Sequence, residues 1–132
     1  MLAPRLSAGA RLARYSVRLE VPILRVVAEV AQIQVSSAGE VAIVKVIGEV
    51  DLSVCPELQS AVDAALAGQP RVVVDLAECT YMDSSGLRVL IGAVGSATKV
   101  GRSVVVVNPT DTVLKIIELA DVAQILLGRD AS

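Results

Sequence analysis

The chain has 132 residues and a formal net charge of −2, and 54% of its residues are hydrophobic although it contains no Trp and no Phe. This length fits one domain, and an aliphatic core favours an α/β layer structure. The absence of His excludes Ser-His-Asp and Cys-His nucleophile systems, and no stripe of basic and aromatic residues predicts nucleic-acid binding.

The apolar runs and the spacing of the cysteines narrow the class of protein further. No apolar run is long enough to span a bilayer and no signal peptide is recognisable, so we expect a cytoplasmic protein without a transmembrane segment. Cys55 and Cys79 lack the close spacing of zinc-ligand pairs, so neither a metal site nor a cofactor is predicted. Both cysteines are expected to be small core residues, and a disulfide between them stays open.

Residues 1–30 differ in composition from the rest of the chain. They hold five of the nine arginines, at a spacing that permits a basic helical face. One interpretation is an arm that docks on a membrane surface or a partner, and the other is a disordered extension or an upstream start site. We therefore predict an extension at 1–30, a domain at 31–127 and a tail at 128–132.

The predicted domain opens with a β-hairpin. Polar and apolar residues alternate over 32–36, and an apolar run at 41–47 forms the second strand. A helix follows, with Ser53 or Cys55 as its N-cap and Gly68 at its end.

Strands and helices alternate through the second half. The predicted elements are a buried central strand at 71–76, a connection at 77–80, a helix at 85–100, a strand at 103–107, a helix capped by Thr110 and a last short strand at 122–127. This order predicts an α/β fold, with a small mixed sheet and helices packed chiefly on one side.

The turn at residues 83–86 joins the central strand to the long helix. Asp83, Ser84 and Ser85 are all favourable N-cap residues, and capping alone is one explanation for them. Free backbone N–H groups and the helix dipole also favour an anion at this position.

Three pieces of sequence resemble the STAS domain of anti-sigma factor antagonists. The specific piece is Met82-Asp83-Ser84-Ser85-Gly86-Leu87, and the supporting ones are Val74-Asp75-Leu76 and Ile47-Gly48-Glu49-Val50-Asp51. The resemblance covers about residues 31–127 and implies the STAS fold, in which helices flank a small mixed sheet.

The resemblance also implies a function. In this family a serine of the turn is phosphorylated by a partner serine kinase that is itself an anti-sigma factor. The chain would be a non-enzymatic antagonist that binds this kinase and is switched off by phosphorylation of Ser85, with Ser84 as the alternative target. A phosphatase is a further candidate partner.

The resemblance, together with the residues around the turn, predicts a partner-binding surface of five residues. Asp83 would orient the substrate hydroxyl, Asp51 and Ser84 would lie in the contact surface, and Gly86 would let a partner approach closely. Arg88 stands where the family often has a small residue, and would pair with a phosphate or an acidic partner. The alternatives are an N-cap for Asp83, a turn-stabilising role for Asp51 and a loosened helix turn at Gly86.

Two other functions stay open. One is a constitutive STAS adaptor, a subunit of a transport or stress-signalling complex that is not phosphorylated. The other is a small-molecule sensor that binds a nucleotide or a lipid. A phosphate-binding Gly-rich loop and a catalytic His are absent from the sequence, so an enzyme is not predicted.

Overall fold

The computed structural model describes residues 24–28 and 31–128. Within these residues the strands are β1 (Leu24–Ala28), β2 (Ala31–Ala38), β3 (Val41–Val50), β4 (Arg71–Met82) and β5 (Ser103–Val107). The helices are α1 (Cys55–Gly68), α2 (Ser84–Lys99), α3 (Asp111–Leu119) and α4 (Ala123–Leu127). Most of the predicted extension and of the predicted tail lies outside the described residues, so both interpretations of the extension stay predictions.

The strands form one five-stranded sheet in the order β1-β2-β3-β4-β5. The pairs β1–β2 and β2–β3 are antiparallel, and the pairs β3–β4 and β4–β5 are parallel. The sheet is therefore mixed, as predicted. It already begins with β1, before the domain start that we predicted at residue 31.

The helices give the sheet one well-buried face. Helix α1 packs on β2, β3 and β4, and α2 packs on β4 and β5. On β4, Val72, Val74 and Leu76 are fully buried, whereas Val73 and Asp75 on the opposite face are half-buried. This layering confirms the predicted fold, and the core is aliphatic, as the composition requires.

Strand β4 is longer than the sequence predicted. The residues assigned to a connection, 77–80, continue the strand as far as Met82. The register against β3 shifts twice between Lys45 and Glu49, and each shift inserts one extra residue on the β4 side. These bulges bring Val50 level with Met82, so that the two strands end side by side.

Two other local predictions were wrong. Residues 122–127 form no strand, because Ala123–Leu127 is helix α4, which buries Leu126 against the core. A short apolar run does not distinguish a strand from a buried helical turn. Helix α1 begins after Val54 and has no side-chain cap, so neither Ser53 nor Cys55 has the predicted capping role.

Gly86 lets α2 approach the ends of β3 and β4. A Cβ atom at this position would lie 2.7 Å from Met82 Cγ and 2.9 Å from Val50 Cγ1, closer than real contacts allow. Gly86 is buried and faces the core. Internal packing is thus a reason for glycine here that the sequence did not indicate, and the approach of a partner at Gly86 stays a prediction.

We expect Gly86→Ala to be less stable than Gly95→Ala by about 1–3 kcal/mol, the usual cost of overpacking a core. Gly95 is the matched control, since it lies in the same helix and a Cβ atom added there would have nothing within 4 Å. The helix-propensity gain of alanine enters both variants and largely cancels. Urea denaturation measures the difference, and equal stability of the two variants would contradict this packing.

Candidate functional site

The candidate site lies where β3 and β4 end together. Val50 is the register partner of Met82, and the backbone N–H of Asp83 donates to the Val50 carbonyl at 3.1 Å. Asp51 and Asp83 therefore follow the ends of two adjacent parallel strands. Such ends are where α/β sheets place their binding loops.

Asp83 is the N-cap of α2. Its Oδ1 accepts from the backbone N–H of Ser85 at 2.9 Å and of Gly86 at 3.1 Å, and from Ser85 Oγ at 2.5 Å. The pKa of Asp83 lies below its ordinary value, chiefly because its carboxylate accepts the hydrogen bond from the Ser85 hydroxyl. Burial opposes this shift, while the two backbone donors and the charge of Arg88 add to it.

The Ser85 hydroxyl is half-buried between two helix N-termini. It donates a hydrogen bond to the Asp83 carboxylate. It can also accept one from the thiol of Cys55, at the start of α1, whose sulfur lies 3.4 Å from the Ser85 oxygen. The same thiol is also 3.4 Å from the Asp51 carbonyl, so its single hydrogen serves one acceptor at a time. Ser84 is exposed, and its hydroxyl makes no hydrogen bond to any residue that the structure describes.

Asp51 and Arg88 are both exposed. The Asp51 carboxylate accepts from the backbone N–H of Ser53 at 2.9 Å and from Ser53 Oγ at 2.6 Å. This is the turn-stabilising arrangement that we considered for Asp51. Its exposure leaves the predicted contact role open as well.

The second cysteine, Cys79, lies in β4 and has an unreactive thiol. Cys79 is fully buried, and burial raises the pKa of its thiol to about 11, against a smaller opposing effect of the hydrogen bond with the Tyr81 backbone. Its thiol is therefore neutral at physiological pH. Both Cys55 and Cys79 are free and buried, which confirms their assignment as core residues and leaves no disulfide between them.

Two apolar side chains beside the turn were not singled out from the sequence. Leu52 is 72% exposed in the loop after β3, and Tyr81 is 43% exposed near the end of β4. The sequence held one usable signal, because an aromatic residue is rare in a chain with two Tyr and no Trp or Phe. Whether such a side chain is exposed, however, depends on the register of β3 and β4, which the sequence does not show.

Two kinds of site are absent from residues 24–28 and 31–128. No group of three or more acidic, His or Cys side chains there is arranged to hold a metal ion. No helix there combines the length and the apolar character needed to cross a membrane.

We expect Asp83→Ala to lower the free energy of unfolding by about 1 kcal/mol near neutral pH, the usual contribution of an N-cap. Because the folded-state pKa is lowered, the carboxylate's contribution is present above the ordinary pKa of 3.8 and is lost as the pH falls through the lowered pKa. The difference in the free energy of unfolding between the wild type and Asp83→Ala should therefore become smaller at acidic pH. Denaturant titrations at several pH values test this, with Asp63→Ala, at an exposed mid-helix position, as the control. A difference that stays constant down to low pH would contradict a charged cap.

Comparison with known proteins places the chain in a family. The family model described as Mlab, STAS domain matches residues 33–128. An anti-sigma-B factor antagonist of Listeria monocytogenes is 29% identical over 82 residues, which cover 61% of this chain and 72% of the relative.

Solved structures show the same fold. An anti-sigma factor antagonist from Mycobacterium paratuberculosis has a TM-score of 0.66 and 26% identity, covering 73% of this chain and 82% of that one. The unphosphorylated anti-sigma factor antagonist SpoIIAA has a TM-score of 0.60 at 17% identity, covering 81% of this chain and 86% of that one. Since the family model spans most of its length, the chain belongs to the STAS domain family, and its relatives include anti-sigma factor antagonists.

Proposed function

We propose that this protein is an anti-sigma factor antagonist that binds an anti-sigma factor with serine kinase activity and is switched off by phosphorylation of Ser85. It acts by binding and contributes no catalysis of its own. The observation that carries the proposal is the 2.5 Å hydrogen bond from Ser85 Oγ to the Asp83 carboxylate, at a partly accessible helix N-terminus. The relationship to anti-sigma factor antagonists supports the same conclusion.

The hydrogen bond supports Ser85 as a nucleophile. Asp83 holds the hydroxyl hydrogen and so directs the remaining oxygen lone pairs away from itself. In phosphoryl transfer a bond forms from Ser85 Oγ to the γ-phosphorus of the kinase-bound ATP, and the bond from that phosphorus to the bridging oxygen of ADP breaks. The hydroxyl proton passes to the Asp83 carboxylate that accepts its hydrogen bond, and from there to water.

Ser84 remains the alternative target, and it differs from Ser85 in exposure and in hydrogen bonding. It is more exposed than Ser85, so a kinase reaches it more easily. No described carboxylate accepts a hydrogen bond from its hydroxyl, so nothing orients or activates its oxygen. We therefore assign the modification to Ser85.

Phosphorylation would act on binding through charge and hydrogen bonding. A phosphoserine carries roughly −1.5 to −2 charges and can no longer donate a hydrogen bond to Asp83. A partner whose contact surface offers no cation at this position would have to bury this charge unpaired. An unpaired buried charge in an interface costs about 2–5 kcal/mol, which corresponds to a loss of affinity of about 30-fold to a few thousand-fold.

A constitutive STAS adaptor, a subunit of a transport or stress-signalling complex, is the second candidate. One observation favours it. The Ser85 hydroxyl already has a donor and an acceptor inside the protein, Cys55 and Asp83, as expected for a serine that only stabilises the start of a helix.

The modified residue can be identified directly. Incubation of the protein with purified anti-sigma factor kinases from the source genome and ATP should add one phosphate, detected by intact mass spectrometry and located by fragmentation. Ser85→Ala should abolish the added mass, whereas Ser84→Ala should keep it. Phosphate on Ser84 in the wild-type protein would overturn the assignment to Ser85.

Binding separates the switch from the adaptor. For a switch, Ser85→Asp should weaken binding of the anti-sigma factor by about 30-fold or more, because it buries an extra charge, while Ser85→Ala should bind well. Ser96→Asp is the matched control, since it makes the same change at an exposed position near the other end of α2. Calorimetry measures the affinities, and melting temperatures confirm that each variant is folded. Equal affinity of Ser85→Asp and wild type would favour the adaptor.

A further inference from the structure

We propose that Cys55 is a positioning residue for the phosphorylation of Ser85. Its thiol donates a hydrogen bond to the Ser85 oxygen, which leaves one lone pair of that oxygen for attack on a phosphoryl group. This inference rests on the proposed function, because it concerns the same hydroxyl. Cys55 is buried, so it acts through the orientation of Ser85 and not through a contact with the kinase.

The Ser85 oxygen has four tetrahedral positions, and three of them are used inside the protein. Its Cβ atom takes one, and its hydrogen points at the Asp83 carboxylate across 2.5 Å. The Cys55 thiol donates to one of the two lone pairs, with 3.4 Å between sulfur and oxygen. The fourth position is the second lone pair. Its direction is fixed by two groups at the starts of different helices, α1 and α2.

The thiol hydrogen has two acceptors within reach, and Ser85 is the one that needs it. The Asp51 carbonyl, also 3.4 Å from the sulfur, already accepts from the Val54 N–H at 3.0 Å. No other residue that the structure describes donates to the Ser85 oxygen. Polar groups that are partly buried are usually hydrogen-bonded, so the thiol is best used on Ser85.

The chemistry of a thiol suits this role. Cys55 is a free cysteine, so its hydrogen is available to donate. A thiol is a weaker donor than a hydroxyl, so it orients the Ser85 oxygen and withdraws little electron density from it. Ser85 is only half-buried, which leaves the second lone pair within reach of a bound nucleotide.

The reaction itself leaves the thiol unchanged. The second lone pair of Ser85 Oγ forms the bond to the γ-phosphorus of the kinase-bound ATP, and the bond from that phosphorus to ADP breaks. The hydroxyl proton passes to the Asp83 carboxylate. The thiol hydrogen stays on sulfur throughout, so Cys55 contributes geometry and no proton. Small errors in such geometry are costly in rate.

Infrared spectroscopy tests the hydrogen bond without a kinase. The S–H stretching bands of Cys55 and Cys79 are measured in the full chain, and Cys55→Ala identifies the Cys55 band by removing it. In Ser85→Ala this band should shift, because the thiol loses its acceptor and turns to the Asp51 carbonyl. Ser84→Ala should leave it in place, and the Cys79 band should not move in any of these variants. A Cys55 band that keeps its frequency in Ser85→Ala overturns the proposal.

Phosphorylation kinetics test the positioning. With an anti-sigma factor kinase that modifies the wild-type protein, Cys55→Ala should lower kcat about three- to tenfold, the usual effect of one hydrogen bond, at unchanged KM. Cys55→Ser should restore most of the rate, because its hydroxyl donates in place of the thiol. Cys79→Ala is the matched control, since it removes the thiol that donates to the Tyr81 carbonyl, and should leave kcat and KM unchanged. Melting temperatures confirm that each variant is folded.

The outcomes separate this inference from the proposed function. Phosphorylation of the wild type and of Cys55→Ala at the same rate overturns the positioning role and leaves the switch intact. An equal loss of rate in Cys55→Ser and Cys55→Ala also overturns it, because packing and not a donor would then be responsible. A rise in KM at unchanged kcat overturns it as well, since Cys55 would then affect binding. If no anti-sigma factor kinase modifies Ser85 in the wild type, the proposed function fails, and the positioning role fails with it even where the infrared shift is seen.

Discussion

Asp83 joins the sheet to the helix that carries the candidate site. Its backbone N–H donates to Val50 at the end of β3, and its carboxylate holds the first backbone donors of α2 together with the Ser85 hydroxyl. Ser85 cannot shift relative to the strand ends without breaking bonds in one element or the other. Chemistry at its oxygen therefore changes a surface whose position the fold holds fixed.

The features that could be predicted from the sequence depend on local interactions. The turn at 83–86 was recognisable because an N-cap side chain accepts hydrogen bonds from backbone N–H groups within three residues of itself. Thr110 was predicted as a cap for the same reason. The hydrogen bond from the Val113 N–H to the Thr110 hydroxyl confirms that prediction. The long helix was predicted at 85–100 and lies at Ser84–Lys99. Its apolar spacing reports directly on the face that packs on the sheet.

The features that escaped prediction depend on contacts between distant segments. The end of β4 is set by bulges against β3, and nothing in 77–80 alone reveals that a neighbouring strand continues beside it. The contact between Cys55 and Ser85 joins residues thirty positions apart. Tyr81 would have been buried had the register shifted by one residue, so its exposure could not be predicted from its chemistry.

The balance of energies argues that modification of Ser85 changes the surface and not the fold. A lost N-cap costs about 1 kcal/mol. Burial of Leu87 and Leu90, which anchor the same helix, contributes about 1.5–3 kcal/mol for each side chain. Two like charges about 4 Å apart repel by about 1–4 kcal/mol at this kind of site, so a phosphate on Ser85 favours rotation of the Asp83 carboxylate towards water. Both negative groups would then face a partner, while the aliphatic contacts under α2 stay in place.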